Sequence, residues 1–273
     1  MSDFVTATNV EEISPGRLTA RFSPDWRTLG PAGGYQAAIA LRAAGKVAKI
    51  PRPVSFHCHF LRVAKFEQVD IAVETLHAGR ASESLRISIT QDGKRILEAM
   101  TRTASQAPGV AHIEGGPPEA PDPEQLRAPL DINPEYSRGG FSQHIETRVV
   151  DEGRLLDRAS PRAAQQLDWY RFGPGAPYKD VWLDAARMTM LVDTMTHSPA
   201  FLPHPGGAFV APSIECQVWF HQFAPESEWL LADHIAPIAD GGLIGVHGKV
   251  WSHDRRLLAS GGAQLLCAPR PQA

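Results

Sequence analysis

One carboxylate interrupts an apolar helical run. In ARMTMLVDTM, Asp193 is surrounded by Met190, Leu191, Val192 and Met195. A carboxylate on such a surface loses hydration, which disfavours its charged form and raises its pKa unless hydrogen bonds compensate. A base titrating near neutral pH suits proton abstraction, whereas on a solvated helix face the same residue is an ordinary surface acid. His197 follows at i+4, on the same face of a continuing helix. With Ser213 it would complete a Ser/His/Asp set, but no G-x-S-x-G elbow surrounds Ser213, so covalent serine catalysis is not expected. A second run, GGYQAAIALRAAGKVA, opens on Gly33-Gly34. Helix N-termini stabilise negative charge, and bare backbone N–H groups admit a ligand closely; tight helix–sheet packing would call for the same glycines. His57 and His59 alternate around Cys58. No third ligand follows at metal spacing, so they read as strand-surface histidines and no metal site is expected.

These residues sit in a pattern that occurs twice. VSFHCHFLRVAKFEQVDIAVETLHAGRASESLRISITQDGKRILEAMTRTA in the first half parallels PSIECQVWFHQFAPESEWLLADHIAPIADGGLIGVHGKVWSHDRRLLASGGAQLLCA in the second. An offset of about 160 residues is too long for a solenoid repeat and fits a duplicated domain. Each copy reads as two strands, a helix and about four strands, an α+β layer arrangement in which the helix covers an antiparallel sheet. FVTATNVEEI and RLTARFS supply the leading strands of the first half; HIETRVVD and AAQQLDWYRF those of the second. The second helix is expected to run through VWLDAARMTMLVDTMTHSPAF. In IECQVWF, alternation places Ile214, Cys216, Val218 and Phe220 on one face. Residues 106–140, within a stretch holding seven of the 23 prolines, read as a linker between domains 1–105 and 141–273.

Composition bounds the function. A hydrophobic fraction of 43% and a charged fraction of 21% over 273 residues are ordinary for a globular protein. A net charge of -3 gives no reason to expect nucleic acid as a partner. The start, MSDFVTATNVEE, lacks the apolar core of a signal peptide, and no run approaches the length of a membrane span. Cys58, Cys216 and Cys267 form neither a disulfide framework nor a metal pattern, so a cytoplasmic setting is expected.

The order of motifs resembles the acyl-CoA thioesterase II (TesB-like) family. GGYQAA, SFHCHFLR, VETLHAGR and QDGKRI carry the likeness in the first half; LVDTM, SIECQVWFH and SHDRRLLASGGAQ carry it in the second. The resemblance implies a double hotdog fold, two tandem domains each with a long helix wrapped by a curved antiparallel sheet. It implies hydrolysis of acyl-CoA to free CoA and a carboxylic acid by water, with no cofactor. Its catalytic positions fall on Asp193, Ser213 and Gln264. Gly33, Gly34 and Tyr35, at the entry of the first helix, are expected beside the substrate, where an oxyanion or a CoA phosphate could use the helix N-terminus. Ser213 replaces the family's more usual threonine. Gln264 falls one residue later than the family's spacing, which turns a strand side chain to the other face; a β-bulge at Gly261-Gly262 is expected to absorb it. The alternative is a non-catalytic acyl-CoA or lipid-binding double hotdog. Asp131-Ile132-Asn133-Pro134 superficially resembles the D-x-N-P motif of hotdog hydratases but lacks the following histidine, so a hydratase is not expected. Because hotdog sheets often continue between subunits, a homo-oligomer is expected.

The two copies are unequal. The first helix, GGYQAAIALRAAGKVA, has no acid, and the first-half last strand, LEAMTRTA, has no glutamine. The chemistry is therefore expected in the second half, with the first kept for shape, pocket wall and backbone contacts.

Overall fold

The structure, a computed structural model, describes residues 3–136, 140–173, 178, 180–207 and 209–270. In the first half, β1 (Glu11–Ser14) and β2 (Arg17–Arg21) precede a long helix, Gly33–Val47. β3 (Pro53–Phe60), β4 (Gln68–Ala78), β5 (Ser82–Gln91) and β6 (Lys94–Ala104) follow. The second half repeats the order with β7 (Ile145–Val149), β8 (Gln165–Phe172) and a long helix, Val181–Thr194. Then come β9 (Phe209–Val210), β10 (Ser213–Phe220), β11 (Trp229–Asp240), β12 (Leu243–Ser252), β13 (Leu257–Leu266) and β14 (Ala268–Pro269).

Twelve of these strands form one continuous sheet in the order β1-β2-β4-β5-β6-β3-β10-β13-β12-β11-β8-β7. Its centre is the antiparallel pair β3–β10, one strand from each half, in which Cys58 faces Cys216 and Phe56 faces Val218. Both long helices are apolar nearly all round, and each must therefore be buried on every side. The sheet covers one side and the other helix covers the opposite side. Their contact is antiparallel and close: a Cβ on Gly45 would stand 2.6 Å from the Trp182 ring, and one on Gly34 would stand 2.9 Å from the Met190 Cα. Glycine at both positions lets the helix axes approach. One apolar cluster includes Ile39, Leu41, Ile87, Met190, Val218 and Leu258, so the halves share a core.

A fully buried ion pair ties the second helix to the loop after β10. Arg187 Nε donates to Asp184 at 2.7 Å, and its other nitrogens donate to the Ser227 and Ala224 carbonyls, each at 2.7 Å. Asp184 also accepts the Ala224 N–H at 2.9 Å. Every polar group of the pair is thus engaged, which a buried charge requires. The segment between the halves crosses the back of the second-half sheet. There the Trp169 and Trp229 indoles donate to the Pro121 carbonyl and the Glu124 carboxylate, each at 3.0 Å.

Three local expectations are corrected. Phe4–Ala7 is a helical turn rather than strand: Asp3 caps it by accepting the Thr6 N–H at 2.8 Å, and Phe4 is buried against Trp26 and Phe172. The second long helix stops at Thr194, and His197–Phe201 forms a separate short helix. The Thr196 hydroxyl takes the Asp193 carbonyl that the His197 N–H would otherwise bond, and Pro199 has no N–H to continue the ladder. Finally, Ile214 leaves the inner face of β10 and is 38% exposed, because the register of β10 against β13 shifts between Ser213 and Glu215.

Candidate active site

Asp193 lies in the last turn of the second long helix and is 3% exposed. Antiparallel packing brings this turn against the N-terminus of the first long helix. A Cβ on Gly33 would stand 2.6 Å from Asp193 Oδ2 and 3.1 Å from the end of the Phe60 ring. That N-terminus has no side-chain cap, its N-cap residue being Ala32. Its first N–H groups therefore lack the usual partner, and the carboxylate of the other half stands beside them, where helix partial charge favours an anion.

Burial dominates the electrostatics. Desolvation pushes the Asp193 carboxyl up to about 6, against smaller downward contributions from the Ser213 hydroxyl, the Gly34 N–H and the Thr194 hydroxyl. The Thr194 hydroxyl lies 3.5 Å from Oδ2, whereas Oδ1 has no partner in good hydrogen-bond geometry among the described residues. Below the carboxylate, burial raises the Cys58 and Cys216 thiols well above their ordinary value, and the Asp193 charge adds to this. Both thiols are thus protonated packing groups.

The bulge in β10 decides which polar side chains reach this point. Directly opposed residues of an antiparallel pair project to the same face. Cys216 opposes Ala263 and Ser213 opposes Leu265; Ala263 and Leu265 are buried in the apolar interior. Without the shift, Ser213 would share the outer face with Glu215 and Gln217. With it, Ser213 turns inward to Asp193.

Gln264 is not brought to Asp193. It opposes Glu215 on β10 and Gly245 on β12, between inward Ala263 and Leu265, so it projects from the outer face. No register shift occurs at Gly261-Gly262. Those glycines instead serve close strand approach: a Cβ on Gly261 would stand 2.0 Å from the Gln217 carbonyl oxygen, and one on Gly262 2.2 Å from that of Val246. Ala263 occupies the inward position one residue earlier.

Among the residues expected beside the substrate, Gly33 and Gly34 lie at the carboxylate, but the Tyr35 side chain is used elsewhere. It is fully buried; its hydroxyl donates to the Ala7 carbonyl at 2.9 Å, accepts the Ser23 N–H at 3.1 Å, and is pushed up to about 12, chiefly by burial. His197 is exposed at the start of the short helix and packs on Phe201, so the Ser/His/Asp set does not assemble on one helix face. Asp131 lies in a short helical turn, Pro129–Ile132, within the connecting segment. Thr194 and Phe60 complete the surroundings of Asp193. Neither is marked by a motif, although Thr194 adjoins the acid and Phe60 belongs to the apolar pair ending β3.

Two helix-and-sheet units fused through β3–β10, with one acid buried between them, define a double hotdog protein. The chain belongs to the acyl-CoA thioesterase family: the family's N-terminal domain model matches residues 22–107 and its C-terminal domain model residues 115–267. Its activity is hydrolysis of acyl-CoA thioesters. The chain is 24% identical over 261 residues to acyl-coenzyme A thioesterase 8 of Mus musculus, covering 88% of this chain and 81% of that protein. Among solved structures, TesB2, an acyl-CoA thioesterase II of Mycobacterium marinum, shares the fold with a TM-score of 0.78 at 23% identity, over 96% of this chain and 97% of that one. A hot dog fold protein from Alicyclobacillus acidocaldarius superposes with a TM-score of 0.83 at 21% identity, over 98% of each chain.

Proposed function

We propose that Asp193 is the general base of this hydrolysis and that Ser213 helps hold the attacking water. The observation carrying this reading is the buried carboxylate itself, with Oδ2 against the first helix, Oδ1 open to a donor, and a pKa of about 6. Such a group is largely ionised at neutral pH yet remains a competent proton acceptor.

In the proposed reaction, water oxygen attacks the thioester carbonyl carbon as its proton passes to Asp193. The oxyanion forms beside the Gly33-Gly34 turn, where backbone N–H groups stabilise developing negative charge. The C–S bond then breaks, the sulfur takes the proton from Asp193, and CoA and the carboxylic acid leave. Gln264 has no role in this set. No step calls on a metal or redox cofactor.

A single turnover in H2 18O with enzyme in excess tests the role of Asp193. Direct water attack puts one 18O into the acid released on the first turnover. Unlabelled acid would instead mean that the carboxylate attacks the thioester and donates its own oxygen.

We also propose a homo-oligomer, built by continuation of the sheet between subunits; size-exclusion chromatography with light scattering tests it. We likewise propose a cytoplasmic setting, supported by three free cysteines. Among the described residues, no helix is long and apolar enough to cross a membrane.

A further inference from the structure

We propose that the outer face of the β3–β10 seam holds a divalent transition-metal site built from His57, His59 and Glu215. The two imidazoles alternate on β3 and so project from one face. Glu215 opposes His59 across the seam, on the same face. Glu215 Oε2 lies 3.3 Å from His57 Nε2 and 3.9 Å from His59 Nε2. One ligand atom from each of the three lies within 4.8 Å of the others.

Those separations are close to what a metal needs. Bonds of about 2.0–2.1 Å in tetrahedral geometry set ligand atoms roughly 3.4 Å apart, so one edge of the triangle already fits and small side-chain rotations close the rest. Two imidazoles and a carboxylate form a donor set suited to zinc and its first-row neighbours rather than to magnesium or calcium. The rings lie 4.9 Å apart at 70°, and both turn toward the same carboxylate oxygen, which a simple two-group ion pair does not require. The nearby Glu98, opposite His59 on β6, is engaged by Arg86, by Arg95 at 3.1 Å and by Ser88 at 2.8 Å. It therefore leaves the histidines to Glu215.

The half-exposed ligands leave the remaining coordination position to solvent. The site lies on the sheet face opposite Asp193 and takes ligands from both halves, so a bound ion fastens the seam without entering the hydrolytic chemistry. Sequence spacing conceals it, because Glu215 is 158 residues from His57.

The test is competitive titration of the EDTA-stripped full chain with Zn2+ against a chromophoric chelator, together with thermal melting with and without Zn2+. The expected result is one Zn2+ per chain, a melting temperature raised by Zn2+ and not by Mg2+, and weakening in Glu215→Gln and His59→Ala. That weakening should be at least the roughly 10- to 100-fold that even outer-shell losses cause. His59 is largely exposed, with a side chain 58% accessible, so its removal leaves a folded protein for comparison. Absence of saturable 1:1 binding, or equal affinity in both variants and the parent, overturns the proposal.

Discussion

A methyl group added to Gly33 would stand 2.6 Å from Oδ2 of Asp193. This contact joins the N-terminus of one half's helix to the only acid in the last two turns of the other's. Under the proposed reaction, it is how two unequal copies make one site: the second half supplies the base, and the first supplies bare backbone against which the base and an oxyanion can lie.

Gly33→Ala should therefore damage catalysis more than folding. The added Cβ displaces the carboxylate or the Phe60 ring, and misplacement by about 1 Å can cost on the order of 100-fold in rate. Steady-state hydrolysis and thermal melting on the same sample check this. Unchanged kcat/KM would show that the glycine serves helix packing alone.

The pH dependence follows from the raised Asp193 pKa. The base acts when ionised, so kcat/KM should rise with pH, be half-maximal near 6, and level off above it. Stability should run the other way. The folded state holds this proton up to about 6, against 3.8 for an ordinary aspartate, so between those values it binds more protons than the unfolded chain. Stability contributed by the neutral form is present below pH 3.8 and is lost as pH rises toward 6, by roughly 3 kcal/mol at about 1.4 kcal/mol per unit. Urea unfolding of the parent and Asp193→Asn at several pH values measures the difference: Asp193→Asn should lack this loss and be the more stable at pH 8.

Ser213→Ala and Gln264→Ala form a contrasting pair. Loss of the inward hydroxyl should lower kcat/KM on the order of 10- to 100-fold, less than removal of a full oxyanion donor. It should also move the pH midpoint upward, because that hydroxyl lowers the Asp193 pKa. Removal of the outward amide should change kcat/KM by less than about twofold, as expected away from the reacting atoms. The reverse order of effects would show that the site uses the other face of β13.

Arg187→Met should destabilise the fold by about 3–5 kcal/mol, because it leaves the buried Asp184 carboxylate without its cation. Restoring an apolar pair with Asp184→Leu in the same chain should recover much of the loss. Denaturant midpoints for the single and double variants measure both.

The duplicated strand-and-helix order was legible because period-two and helical patterns recur in both halves, and the double hotdog class followed from the resemblance to the acyl-CoA thioesterase II family. Asp193 stood out as an acid among Met190, Leu191 and Val192, but an acid on a solvated helix face reads the same way; the family likeness fell on it, and its burial came only with the packing of the two helices. The facing of Ser213 and Gln264 was not. The bulge between Ser213 and Glu215 turns Ser213 inward, whereas unbroken alternation through Gly261-Gly262 leaves Gln264 outward, and a bulge leaves little trace in residue type when strand pairing selects it. The helix break after Thr194 depended on the Thr196 hydroxyl capturing a carbonyl, and the role of Tyr35 depended on partners at Ala7 and Ser23. The first is a local competition for a carbonyl that residue type does not decide, and the second arises only once separate segments are packed.

The central claim, that Asp193 is the base, is tested most directly by the hydrolysis rate of Asp193→Asn at pH 8 on the parent's best acyl-CoA, followed by release of free thiol. The account predicts a fall in kcat of about 100- to 10,000-fold, the range for loss of a general base, in a protein that melts no lower than the parent. A variant that hydrolyses acyl-CoA at the parent rate would contradict it.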